Sequence, residues 1–217
     1  MKKYLLGLAG VAFSAAPALA HHPLGGMPME TFSQGLLSGI GHPLLGFDHL
    51  FFVIIVGIAA LYTGHARTAP AAYIAAMAAG CLMMAFGTGL PLKEAVIGLS
   101  LLVVGGVVLS GRALGLIPAL ALFAGFGLFH GSAFGESIAA QEAAAGTSVL
   151  LGYMIGLAAL QYAIAVAAGW AAKALWKATE ATALQARLAG AVVAGVGLYL
   201  SMENLEGFVL GALGWAA

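Results

Sequence analysis

Five ionisable side chains stand in sequence that is otherwise apolar. His42, Asp48 and His49 lie in GHPLLGFDHLFFVIIVG, residues 41–57, where every residue from Leu50 onward is apolar. His130 and Glu136 lie in GFGLFHGSAFGESI, residues 125–138. A charge at the centre of a bilayer costs roughly 2.5–3.5 kcal/mol on insertion scales. Such groups persist where they face a cavity or a partner. Two imidazoles with one or two carboxylates suit a borderline divalent cation such as Ni²⁺, Co²⁺ or Zn²⁺. Cys81-Leu82-Met83-Met84 adds soft sulfur that suits Cu⁺, although methionine is also ordinary core filling.

Each of these groups also has a plainer reading. A membrane histidine can simply hydrogen-bond the next helix, and His42, before Pro43, can cap a helix. His65 beside Arg67 reads as a solvated loop residue, Glu142 as a surface charge, and Gln161 as polar glue between helices. The set His49, Asp48 and His130 is harder to explain that way.

The elements that position these groups follow from composition. The chain has 217 residues, 62% hydrophobic and 7% charged, and its mean hydropathy is +1.04. A soluble domain carries about 25% charged residues, so lipid is the expected solvent. Net charge is zero, which gives no footing for nucleic-acid binding. The one cysteine, Cys81, excludes an intrachain disulfide. No phosphate-cradling P-loop is present, which argues against ATP hydrolysis in this chain.

Residues 1–20, MKKYLLGLAGVAFSAAPALA, read as a secretory signal. Lys2 and Lys3 supply the positive region, Leu5–Ala16 the apolar one, and Ala18-Leu19-Ala20 the cleavage site. Cleavage makes His21 the new amino terminus, with His22 behind it. That α-amine and the two imidazoles form a candidate capture site for a divalent ion.

Six apolar segments follow, at 43–63, 69–90, 94–110, 115–139, 148–171 and 188–205. Each is long enough to cross about 30 Å of hydrocarbon. The fold class is therefore all-α: a polytopic membrane protein with a bundle of six transmembrane helices after a cleaved signal peptide. Residues 21–217 make one permease-sized domain. The stretch LSMENLEGFVLGALGWAA reads either as a helix end with an interfacial tail or as one overlong helix.

A cleaved signal puts the mature amino terminus outside, and basic residues should gather in cytoplasmic loops. Loops one, three and five hold Arg67, Arg112, Lys173, Lys177 and Arg187; of the mature basic residues only Lys93 falls outside. Both signals predict periplasmic termini in a bacterial inner membrane. Helix rise then sets depth. His49 lies roughly 9–10 Å and His130 roughly 13 Å below the outer surface. His42 and Glu136 sit nearer the mouth. Read as one helix, the first segment puts His42 and His49 on one face, with Asp48 about 100° round. Gly127, Gly131 and Gly135 form a small-residue stripe beside His130, which should turn it toward protein.

HPLLGFDHL resembles the H-P-x-x-G-x-D-H signature of the HupE/UreJ family, matched by His42, Pro43, Gly46, Asp48 and His49. FHGSAFGE resembles the family's second signature, through His130, Gly131, Ala133, Gly135 and Glu136. Many members carry a second histidine where this chain has Phe134, with the glutamate one place later. The resemblance covers essentially the whole chain. It implies a secondary permease for nickel, with cobalt also proposed, serving hydrogenase or urease maturation. It also implies that His42, Asp48, His49, His130 and Glu136 are critical for transport.

The leading reading is thus a non-enzymatic permease with no permanently bound cofactor, whose transported ion is Ni²⁺, alternatively Co²⁺, Zn²⁺ or Cu⁺. One alternative is a haem-binding electron carrier with His49 and His130 as axial ligands. Another is an intramembrane hydrolase in which Glu136 activates a metal-bound water.

Overall fold

The computed structural model describes residues 28–140 and 146–215. The expected signal peptide, the His21–His22 terminus and Glu142 lie outside the described residues. Within them the chain is helical, with no strand. Its seven helices are α1 (Phe32–Leu45), α2 (Phe47–Leu61), α3 (Ala69–Ala85), α4 (Lys93–Leu109), α5 (Leu116–Ala139), α6 (Thr147–Ala174) and α7 (Leu184–Ala212).

The first expected segment, 43–63, is not one helix. A helix begins earlier, at a capping box: the Gln34 N–H donates to Thr31 Oγ at 3.2 Å, and the Thr31 N–H donates back to Gln34 Oε1 at 2.9 Å. This α1 runs to Leu45 and contains Pro43. Proline lacks the N–H that would continue the ladder. Gly46 then leaves helical geometry, at φ −84° and ψ 97°, and α2 departs at 82° to α1. His42 and His49 are therefore on two helices that meet at a corner.

α5, α6 and α7 are each long and apolar enough to cross a membrane, and α1 with α2 passes the same test as a bent pair. The chain is a membrane protein. α3 and α4 have 17 residues each, about 25 Å of rise. α3 stops at Ala85, short of residue 90, because Gly87 turns the chain with φ +87°. Glu203 and Glu206 lie inside a continuous 29-residue α7, so the overlong helix is the form adopted.

Contacts fix the relative directions. Phe32 of α1 meets Gly152 near the start of α6, and Tyr62, just past α2, donates its hydroxyl to the Ala178 carbonyl beyond the end of α6 at 3.0 Å. The bent pair thus runs beside α6 from end to end. α3 and α5 run parallel, with Tyr73, Met77 and Cys81 against Gly127, Gly131 and Gly135; α4 and α7 run antiparallel, with Gly98 and Gly105 against Ser201 and Ala194. A Cβ on Gly131 would collide with the Met77 carbonyl, so that seam requires glycine. α2 touches all six other helices, and Phe52, Val53, Ile55, Val56 and Ile58 are buried all round it. The arrangement places Arg67, Arg112, Lys173, Lys177 and Arg187 at one end. Among the described residues Lys93 is the one basic group at the other.

Candidate metal site

The corner between α1 and α2 builds the site. His42 is in the last turn of α1, while Asp48 and His49 are in the first turn of α2. His130 comes in from the middle of α5, turned inward by the glycine seam as expected, and is fully buried. The result is closer convergence than depth alone implied. His49 Nδ1 and His130 Nδ1 are 2.7 Å apart, and the ring centroids of His42 and His49 are 6.0 Å apart. His49 Nε2 stands 3.9 Å from Asp48 Oδ2.

The hydrogen-bond network assigns the ring protons. The Ser100 hydroxyl donates to the Ile97 carbonyl at 2.6 Å, so its oxygen accepts from His130 Nε2–H at 2.9 Å. That leaves His130 Nδ1 as the acceptor and His49 Nδ1–H as the donor. The Tyr153 hydroxyl likewise donates to the Phe134 carbonyl at 2.9 Å, so its oxygen accepts from His42 Nδ1–H at 2.8 Å. Ser137 Oγ is 3.1 Å from the same nitrogen. In neutral form both His42 and His49 then carry their lone pairs on Nε2. At His49 that lone pair faces a carboxylate oxygen, and a cation between them relieves the clash: a second ring proton or a metal ion.

This is the arrangement of a metal-ligating histidine, whose other N–H is held by a neighbour that fixes tautomer and orientation. Aromatic rings make the walls. Phe52 stacks on His130 with centroids 4.2 Å apart and planes 16° apart. Phe134 lies 4.1 Å from His49 and 5.0 Å from His42.

Glu136 does not join the cluster. It forms an ion pair with Lys93 and stays about half exposed, its side-chain accessibility being 47%. Lys93, the exception to the charge asymmetry, thereby has its partner. Among the described residues no three His, Cys, Asp or Glu side chains already converge closely enough to hold an ion. The reason is geometric: the facing nitrogens of His49 and His130 are engaged with each other, and Glu136 is drawn away. Metal–nitrogen bonds of about 2.0–2.1 Å put neighbouring ligand atoms ~3–3.5 Å apart. The 3.9 Å between His49 Nε2 and Asp48 Oδ2 closes to that range by a small side-chain movement.

A family model, HupE / UreJ protein, matches residues 9–200 of this sequence. The chain belongs to the HupE/UreJ family. It is also 30% identical over 163 residues to Protein HupE of Rhizobium leguminosarum bv. viciae, covering 70% of this chain and 82% of that one. No solved structure matches it.

Other polar groups of this HupE/UreJ chain escaped the sequence reading. Ser100, Ser137, Tyr153 and Tyr73 are all buried at or near the cluster. Each is a hydroxyl in an apolar segment, and the insertion-cost argument used for the histidines applies to them in weaker form. Gln161 is glue between helices, as expected: its Oε1 accepts from the Tyr73 hydroxyl across α3 and α6. Among the described residues its amide Nε2 is buried without a hydrogen-bond partner, an arrangement that costs about 1–3 kcal/mol. Cys81 is packed in the core on the glycine seam. His65 is exposed, with Nδ1 3.1 Å from the Thr63 carbonyl.

Proposed function

We propose that the chain is a secondary permease of the bacterial inner membrane that carries a divalent transition-metal ion, nickel or cobalt, as its substrate. His42, Asp48 and His49 contact the ion. His130 holds the Nδ1 proton of His49 and so keeps His49 Nε2 turned to the ion. The observation that carries this reading is the His49–His130 hydrogen bond beside Asp48, at the corner where α1 meets α2. Glu136 and Lys93 stand at the mouth. The mature termini face the periplasm, and His21 and His22, exposed by signal cleavage, deliver the ion.

No enzymatic step and no resident cofactor are needed. At 100 mV a divalent ion gains about 4.6 kcal/mol on moving inward, so membrane potential alone can drive uptake. The geometry disfavours both alternatives. Axial haem ligation requires a macrocycle between the two imidazoles, yet their nitrogens are 2.7 Å apart with Phe52 stacked on one ring. A hydrolase requires Glu136 beside the metal. Glu136 instead pairs with Lys93 and lies six residues, roughly 9 Å of rise, beyond His130.

The test is uptake into sealed vesicles with an inside-negative potential, comparing Ni²⁺, Co²⁺, Zn²⁺ and Cu⁺. Ni²⁺ or Co²⁺ should accumulate with the intact chain and not with Asp48→Asn. Accumulation no greater than in empty vesicles would overturn the reading.

A further inference from the structure

At the end of the molecule opposite the histidines, a cavity of about 710 Å³ opens between α2, α6 and the loop that joins α2 to α3. Its α6 wall is a single helical face. Ala163, Val166, Ala167, Trp170 and Lys173 recur at three- and four-residue spacing. The two alanines hollow this face, and Leu61 closes it from α2. Trp170 borders the cavity and is 63% exposed, as an aromatic anchor at a membrane interface should be.

Two cations, Arg67 and Lys173, line the same cavity. Among the described residues neither is in a salt bridge, and the one acidic side chain at this end is Glu180. Arg67 is held in place from the backbone: the Tyr162 hydroxyl, from α6, donates to the Arg67 carbonyl at 3.0 Å. The cavity therefore joins an apolar trough to two positive charges near the ends of α2 and α6.

We propose that this cavity is a binding site for an anionic phospholipid, with the phosphate between Arg67 and Lys173 and an acyl chain in the trough against Val166 and Ala163. A zwitterionic lipid fills the trough equally well but brings a choline or ethanolamine cation toward the arginine. Basic pockets between helices on the cytoplasmic side have the chemistry for anionic headgroups. The proposal rests on the cavity and its charges, and not on the permease reading.

Native mass spectrometry of the full chain tests it, in nonionic detergent without metal, with phosphatidylglycerol or phosphatidylcholine added. The intact chain should retain phosphatidylglycerol in preference. The double variant Arg67→Gln, Lys173→Gln should lower that retention by roughly an order of magnitude, with phosphatidylcholine unaffected. Lys173→Arg should keep it, and so should Arg112→Gln, which removes a charge from the same end but not from the cavity. Excess glycerol phosphate should fail to displace the lipid, because it lacks the chain. Equal retention of the two lipids by the intact chain would overturn the proposal. So would undiminished phosphatidylglycerol on the folded double variant, or equal loss with Arg112→Gln. Displacement by glycerol phosphate would make this a free-phosphate site instead. If the double variant does not fold, Lys173→Gln alone, melting like the intact chain, must still show the loss. None of these variants touches the histidine cluster, so either proposal can fail without the other.

Discussion

His49 and His130 face each other Nδ1 to Nδ1 at 2.7 Å across α2 and α5, so one of the two nitrogens must carry a proton. Ser100, below His130, decides which. Its hydroxyl is committed to the Ile97 carbonyl, it accepts from His130 Nε2–H, and the shared proton belongs to His49. In the proposed site His49 is the ligand, with its tautomer set by its neighbours, and His130 is the neighbour that sets it.

That division of roles gives a graded series. His49→Leu should abolish high-affinity Ni²⁺ binding. His130→Leu, which removes an orienting partner, should cost about 10–100-fold, and Ser100→Ala less than that. Isothermal titration of the purified chain reads all three. Equal losses for His49→Leu and His130→Leu would make His130 a ligand.

The glycine seam gives a paired test of packing. Gly131→Ala drives a methyl into the Met77 carbonyl of α3, whereas Gly125, also on α5, has nothing within 4 Å of a Cβ. Gly131→Ala should lower thermal stability by an amount equivalent to about 1–3 kcal/mol and weaken metal binding, because α5 carries His130. Gly125→Ala should change neither. Equal melting temperatures for the two variants would mean that the seam tolerates more than its contacts imply.

Phe134 touches both His49 and His42. Phe134→His puts a fourth imidazole beside His42, His49 and His130, where the ring now fills space, and a histidine is the smaller side chain. Ni²⁺ should bind more tightly, by roughly tenfold or more if the new nitrogen becomes an additional ligand that donates its other N–H to a neighbour. Titration decides it. Unchanged affinity would place the ion away from that ring.

Ligation requires neutral imidazole and ionised carboxylate. Protonation of the ligand histidines should therefore weaken equilibrium Ni²⁺ binding in detergent as pH falls from neutral toward 5. Affinity that holds constant over that interval would contradict histidine ligation.

Much of this site could be read from sequence because helix rise converts residue number into depth, and depth put His49 and His130 at one level. The corner was harder. Pro43 and Gly46 both disfavour a continuous helix, yet a proline near a helix start is also ordinary, and the two readings look alike in sequence. The capping box Thr31-x-x-Gln34 is the available signal that a helix begins before Pro43. Spacing along α5 gives the depth of Glu136 but not its partner, Lys93. Being the odd basic residue on its side of the membrane, Lys93 pointed to that pairing. The roles of Ser100 and Tyr153 depend on which helices touch, and no single-chain periodicity encodes that.

The central claim is that one ion is held by the imidazoles of His42 and His49 and the carboxylate of Asp48, with His130 behind them. Nickel K-edge X-ray absorption on the loaded chain tests it most directly, in a background with His21→Ala and His22→Ala so that the terminus does not contribute. The spectrum should show two imidazoles with oxygen neighbours and no sulfur. His130→Gln should keep two imidazoles, since the glutamine oxygen still accepts from His49 Nδ1–H, and His49→Gln should lose one. A sulfur neighbour, an imidazole count unmoved by His49→Gln, or loss of an imidazole in His130→Gln would contradict the account.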